Sequence, residues 1–246
     1  MITILDVKID SVSFKEALEK VQSLIKKGKR SFIITLNPEM IIAAQKDSEF
    51  REIVNDADLV TPDGYGLMLA ARFLGQPLKE RVTGVDLTWA LLKLAEEREY
   101  RVFLLGGATG VAKKAAENIK RVHPRIKFAG ISSVDPDDKD IFDTISHAKP
   151  DILFVAYGAP KQEKFINSLI HPVSNLEFRI SDLPKLSIGI GGTLDYIAGI
   201  VSYAPRWVRW LGLEWLYRLF TEPKRFNRII TATIRFPWTV LRSKFK

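Results

Sequence analysis

Apolar residues along the chain follow two alternating rhythms. Short, nearly unbroken runs recur at 31–36 (SFIITL), 58–62 (DLVTP), 101–107 (RVFLLGG), 126–131 (IKFAGI), 151–158 (DILFVAYG) and 186–192 (LSIGIGG). Between them lie stretches such as VDLTWALLKLAEERE and GVAKKAAENIKRV, whose apolar positions return every third or fourth residue. A continuous apolar run suits a strand covered on both faces, and the helical stretches supply the cover. The alternation therefore predicts a Rossmann-like α/β core over residues 1–200, with a mostly parallel sheet flanked by helices. VDPDDKD (134–140) and HPVSNLEFRISDLP (171–184), rich in Asp, Pro and Ser, read as loops.

In open α/β sheets ligands collect beyond the carboxyl ends of the strands. Here those ends carry Thr35 and Asn37, Asp63-Gly64, Gly106-Gly107, Ala156-Tyr157-Gly158, and Gly189, Gly191 and Gly192. Asp63, held between Pro62 and Gly64 at a helix start, suits a general base if a substrate hydroxyl comes within reach, and equally an N-cap. Arg81 and Thr83 precede a helix that has Asp86 in its first turn; the arginine is either a diphosphate partner or a surface charge. Pro160 marks a further helix start, which puts Lys161 and Gln162 in its first turn, where they can meet a sugar or a diphosphate or simply face solvent. FLLGGATGV is a strand, turn and helix start that can hold a nucleotide, yet Leu105 stands where a dinucleotide fingerprint has its first glycine. Asp56-Ala57-Asp58 and Asp135-Pro136-Asp137 imitate a D-x-D metal signature; the first lies at a helix-to-strand junction and the second in a turn, so no bound metal is expected. His123, before Pro124, reads as a capping or surface residue.

Charge changes the picture only near the C-terminus. The net charge is +8, and the segment from Val201 holds ten Lys and Arg against Glu214 and Glu222, which leaves residues 1–200 balanced. Trp207, Trp210, Trp215 and Trp238, four of the five tryptophans, lie in the same segment. Residues 201–246 therefore read as a helical, basic and aromatic appendage, interrupted near Pro223 and Pro237. Arg218, Arg225, Arg228, Arg235 and Arg242 recur at helical spacing, apart from Phe226, Ile229, Ile230 and Ile234. Such a segment can lie in the headgroup plane of an anionic membrane, or close over the core or a sister subunit. Its many tryptophans and isoleucines argue against a nucleic-acid surface. With no cysteine, disulfides, thiolate zinc sites and a cysteine nucleophile are excluded. The start ITILDVKIDS lacks the pattern of a secretory signal, so the expected place is the cytoplasmic side, peripherally attached to the membrane.

TLNPEMI, ADLVTPDGYGL, ERVTGVDL, FLLGGATGV, VAYGAPKQEKFI, IGIGGTLDYIAG, APRW and GLEWLYRLFTEPKRF occur in that order over nearly the whole chain. Together they resemble the WecG/TagA/CpsF family of bacterial glycosyltransferases. The resemblance implies transfer of a hexose-type sugar, N-acetylmannosamine or its uronic acid, from a UDP-sugar to undecaprenyl-diphosphate-linked N-acetylglucosamine, with inversion and without a metal or other cofactor. It implies that Asp63 is the base and that Thr35 and Asn37 position the sugar. Arg81 and Gln162 would line the same pocket, and Arg218, Arg225 and Arg228 would be basic residues of the appendage that meet the acceptor diphosphate. The stretch NSLIHPVSNLEFRISDLPKL is longer than the usual family connection. The rival expectation is a nucleotide-dependent Rossmann oxidoreductase, suggested by the α/β alternation and LLGGATG; Leu105, and the absence of an acid about 20 residues beyond the turn, count against it.

Overall fold

The structure, a computed structural model, describes residues 1–138, 140–171, 182–205, 208, 214–221 and 226–244. All six predicted strands form: β3 (Ser31–Leu36), β4 (Leu59–Pro62), β5 (Arg101–Gly106), β6 (Lys127–Ser132), β7 (Ile152–Ala156) and β8 (Leu186–Gly189). They make one parallel sheet in the order β4-β3-β8-β7-β5-β6. Covering helices are α1 (Phe14–Lys27), α2 (Pro38–Ala44), α3 (Ser48–Asp56), α4 (Tyr65–Phe73), α5 (Gly84–Glu97), α6 (Val111–Val122), α7 (Ile141–Ala148), α8 (Lys161–Ile170) and α9 (Thr193–Ile197).

Two cores result, one on each face of the sheet. Ile33, Leu59, Leu104, Phe154 and Ile188 face α1, α5 and α6. Phe32, Ile34, Val60, Phe103, Leu105 and Val155 face α2, α3, α4 and α8. Alternate residues of β3, β4, β5 and β7 thus enter opposite cores, which is why those runs are unbroken in sequence, whereas edge strand β6 is only partly covered.

An N-terminal hairpin, β1 (Ile2–Ile4) and β2 (Val7–Ile9), is additional to the predicted elements. Its two-residue turn places Leu5 and Asp6 at φ +50° and +61° without a glycine. Ile4, Val7 and Ile9 are fully buried. Beyond the hairpin, Asp10 donates its N–H to Val60 O at 2.9 Å and accepts the Val60 N–H on Oδ2 at 2.9 Å, so it occupies the outer side of edge strand β4.

The C-terminal segment contains α10 (Glu214–Thr221), α11 (Phe226–Ile230), a π-helical turn at Thr231–Arg235, and α12 (Phe236–Lys244). Near Pro237 the helix is not broken. The Phe236 N–H reaches back to Thr231 O, and this wider turn leads directly into the proline, which has no N–H to donate. Pro223 lies outside the described residues. Phe236 and Val240 join the core beside α2 and α4, and Ile229 is buried, whereas Phe226, Ile234, Trp238 and Leu241 stay exposed. The apolar residues of this segment therefore serve two ends, closing the core and facing outward. No helix among the described residues is long and apolar enough to cross a membrane.

Candidate active site

The order of the sheet sets β4, β3, β8, β7 and β5 side by side. Their carboxyl ends, where the functional residues were expected, form a row spanning four strand spacings, about 19 Å. At one end stands Asp63. Its backbone N–H bonds Leu36 O at 2.7 Å, continuing the β4–β3 pairing, and its Oδ2 accepts the Gly84 N–H at 2.9 Å. That N–H is at the start of α5, so the carboxylate is seated on the positive end of a helix. Thr35, half-buried on β3, is its neighbour. A Cβ on Gly84 would stand 2.9 Å from Thr35 Oγ1 and 3.5 Å from Asp63 Oδ2, so only glycine admits both side chains here. Thr61 pairs with Thr35 in register, and its buried Oγ1 has no hydrogen-bond partner among the described residues.

Asn37 is the N-cap of α2, its Oδ1 accepting the Met40 N–H at 3.0 Å. Thr83 caps α5: its Oγ1 accepts the Asp86 N–H at 3.1 Å and donates to Asp86 Oδ2 at 2.6 Å. Asp63, Arg81, Thr83 and Asp86 line one cleft together with Tyr196, Tyr203 and, from α10, Tyr217. The Arg81 guanidinium lies 4.5 Å over the Tyr65 ring, and Tyr196 and Tyr203 stack at 4.9 Å. As described, the cleft holds about 60 Å³, well below the roughly 300 Å³ at which small-molecule pockets begin. One of its walls is Tyr217 of the C-terminal segment.

Toward the other end of the row the loops are glycine-rich and tightly tied. Gly106 is at φ +96°, and a Cβ on it would meet the Ala156 carbonyl at 2.9 Å; Gly107 donates its N–H to Ala156 O. Connections from β5 run toward β6 and those from β7 toward β8, so the sheet has a switch point between β5 and β7. Gly191 and Gly192 follow β8, with Gly192 capping α9. Lys161 is exposed in the first turn of α8.

Gln162, read from sequence as reaching over the rim, lies instead beneath it, 4 % exposed. Its Oε1 accepts the N–H groups of Gly158 (3.1 Å) and Gly191 (3.0 Å), joining the loops after β7 and β8, while its Nε2 donates to Glu163 Oε1 at 2.7 Å. Glu163 is a residue the sequence reading missed. It is buried, its Oε2 has no hydrogen-bond partner among the described residues, and loss of solvent pushes its carboxyl up to about 7. Both side chains lie on the helical stripe of Phe165, Ile166 and Leu169. That stripe was the available signal.

Arg228, on α11, donates Nε to Glu39 Oε2 at 2.6 Å and so ties the C-terminal segment to the first turn of α2. Arg225, Trp207, Trp210 and most of the 171–184 loop lie outside the described residues, as does the side chain of Arg218. His123 ends α6 and pairs through Nδ1 with Glu96 at 2.9 Å, in keeping with its reading as a cap. Asp58, the second acid of the first D-x-D stretch, accepts the Phe32 N–H near the amino ends of the strands, away from Asp63.

A carboxylate at a strand end faces a cleft shared with an arginine and paired aromatic rings, an arrangement with the chemical means to accept a proton and to hold an anion. The sequence profile of the glycosyl transferase WecG/TagA/CpsF family matches residues 2–246, and the chain belongs to that family. It is similar to proteins named N-acetylglucosaminyldiphosphoundecaprenol N-acetyl-beta-D-mannosaminyltransferase. The one from Bacillus subtilis is 36% identical over 94% of this chain and 86% of its own length. Those from Bacillus spizizenii (34% identical, 89% of this chain and 81% of the relative) and Staphylococcus aureus strain MRSA252 (31% identical, 100% and 94%) agree with it. The chain is accordingly a glycosyltransferase, and the oxidoreductase alternative finds no support among its relatives.

Proposed function

We propose that this glycosyltransferase moves N-acetylmannosamine, or a related hexose or uronic acid, from a UDP-sugar to N-acetylglucosamine carried on undecaprenyl diphosphate, with inversion. The observation that carries this reading is Asp63, fixed by the Gly84 N–H beside Thr35 in the cleft that Arg81 also lines. In the reaction the acceptor hydroxyl oxygen bonds to the anomeric carbon while the carbon–oxygen bond to UDP breaks. The hydroxyl proton passes to the Asp63 carboxylate, and UDP leaves with the bonding electrons. In-line attack opposite the leaving group inverts the anomeric centre.

Negative charge grows on the UDP oxygen as that bond breaks, and preorganised cations and N–H groups are the usual means of offsetting it. In this reading that task falls to Arg81 and Lys161, with no metal required. Gln162 holds the loops after β7 and β8 in register, which favours a donor lying along the row with its sugar near Asp63. Thr35 and Asn37 position that sugar. Arg218, Arg225 and Arg228 meet the acceptor diphosphate, so the C-terminal segment works as part of the site while docking the enzyme on an anionic cytoplasmic membrane face.

Incubation with a panel of UDP-sugars and a short-chain lipid-diphosphate N-acetylglucosamine, with and without EDTA, tests this by mass spectrometry. Added hexosamine mass and released UDP are expected in both conditions. No transfer from any UDP-sugar would refute the donor class, and loss of transfer in EDTA would refute the metal-free reading.

A further inference from the structure

Helix α4 has two different sides. Its first residue, Tyr65, lies under Arg81 beside Asp63. Its outer side, Gly66, Leu69 and Phe73, forms one wall of a groove of about 560 Å³, whose other wall is Ile234, Trp238 and Leu241 of the π turn and α12. The groove is apolar almost throughout. Its single hydroxyl, on Thr233, is turned inward to Ile229 O at 2.8 Å. Leu69 is 67 % exposed and Trp238 59 %, a concentration of open apolar surface that soluble proteins do not usually leave without use.

The two ends of the groove differ. The inner end begins at Gly66, three positions after Asp63. There a Cβ would lie 3.0 Å from Pro38 and 3.9 Å from Phe236, so α2, α4 and α12 meet at this point. Glu39, next to Pro38, holds the Arg228 guanidinium, and Arg81 lies over the ring of Tyr65, next to Gly66 in the chain. From Gly66 to Phe73 the wall runs about 10 Å outward along the helix. At the outer end Lys244 donates to Phe73 O at 2.9 Å, with its ammonium 4.2 Å over the Phe73 ring.

A carboxylate, then cations, then an apolar channel make a linear order. It matches an amphiphile whose reacting sugar, diphosphate and hydrocarbon follow one another in the same sequence. Neither a second copy of the chain nor a bilayer requires a groove that ends at the reacting group. We propose that this groove binds the first isoprene units of the acceptor's lipid chain, so that the enzyme recognises the hydrocarbon directly. The proposal rests on the lipid-linked acceptor of the preceding reading and adds a binding site to it.

The test compares binding of farnesyl diphosphate with binding of inorganic diphosphate to the full chain, by calorimetry in detergent-free buffer. It uses the wild type, Leu69→Glu and Trp238→Glu, both at exposed positions, with thermal melting to confirm that each variant is folded. Wild type should prefer farnesyl diphosphate by about tenfold or more, and both variants should lose most of that preference. Trp238 fluorescence should also shift to the blue on adding farnesyl diphosphate, a signal missing from Trp238→Phe. Absence of preference in wild type, or the same preference in folded variants, overturns the proposal. So does an effect confined to anionic vesicles, which would make the face a bilayer contact, or one that tracks self-association in the ultracentrifuge. Turnover separates the two readings: sugar transfer that ignores chain structure removes the groove and keeps the function, whereas prenyl preference without transfer to any acceptor does the reverse.

Discussion

Replacing Glu163 by glutamine should change the pH dependence of stability in a defined way. The carboxyl, on α8, is buried against Gly189 of β8, one oxygen accepting the Gln162 amide and the other without a partner among the described residues. Burial raises its titration from the ordinary 4.5 to about 7. In the unfolded chain the proton leaves near 4.5, whereas the folded protein keeps it to about 7. Between those values the unfolded state binds fewer protons, so each pH step upward lowers stability by about 1.4 kcal/mol. The loss reaches ~3 kcal/mol by pH 8 and then stops, because both states are ionised. Glutamine carries no charge at any pH and keeps an oxygen for the Gln162 N–H. Its second amide group sits where the partnerless oxygen was, at a cost of about 1–3 kcal/mol that does not vary with pH. Urea unfolding of wild type and Glu163→Gln from pH 4.5 to 9 should therefore give curves that diverge by ~3 kcal/mol between pH 5 and 8 in favour of the variant. Parallel curves would refute the argument, and so would a difference that grows above pH 8.

Asp63→Asn should leave the melting temperature nearly unchanged and lower kcat by roughly 10²–10⁴-fold, as expected for loss of a general base; full activity in a direct transfer assay would remove Asp63 from that role. Gly84→Ala forces a methyl to 2.9 Å from Thr35 Oγ1 and should cost about 1–3 kcal/mol in unfolding experiments, with a larger fall in kcat than in donor binding. The Arg228 and Glu39 side chains are solvent-accessible, so Glu39→Gln should shift stability by less than about 1 kcal/mol. Releasing the arginine should lower the acceptor KM in steady-state assays, while Arg228→Ala raises it by about tenfold; a rise in both would mean that the pair only holds α11 against α2.

The sheet was legible because five of its six strands are buried on both faces and so carry no polar alternation to confuse with anything else. The N-terminal hairpin was not: each strand is three residues long, and its turn uses Leu5 and Asp6 where sequence rules look for glycine or asparagine. Asp63, Thr35 and Arg81 come together as expected, since strand ends of a parallel sheet share one rim. Gln162 shows the limit of reading a first turn from spacing alone, because the helix start was correct while the side chain's direction depended on how α8 lies over β8. The Arg228–Glu39 bond joins positions 189 apart, and nothing local in either segment announces it. Gly84 is similar. Its need to be glycine arises from two side chains that arrive from other strands.

The strand that ends in Asp63 lies at the margin of the sheet, and its outward groups at Val60 are met by Asp10. That first short stretch of chain is therefore a hem sewn along the border from which Asp63 projects. Damage there, whether by trimming or by a bulky tag pressed against it, would loosen the cloth from the very side where that carboxylate is stitched.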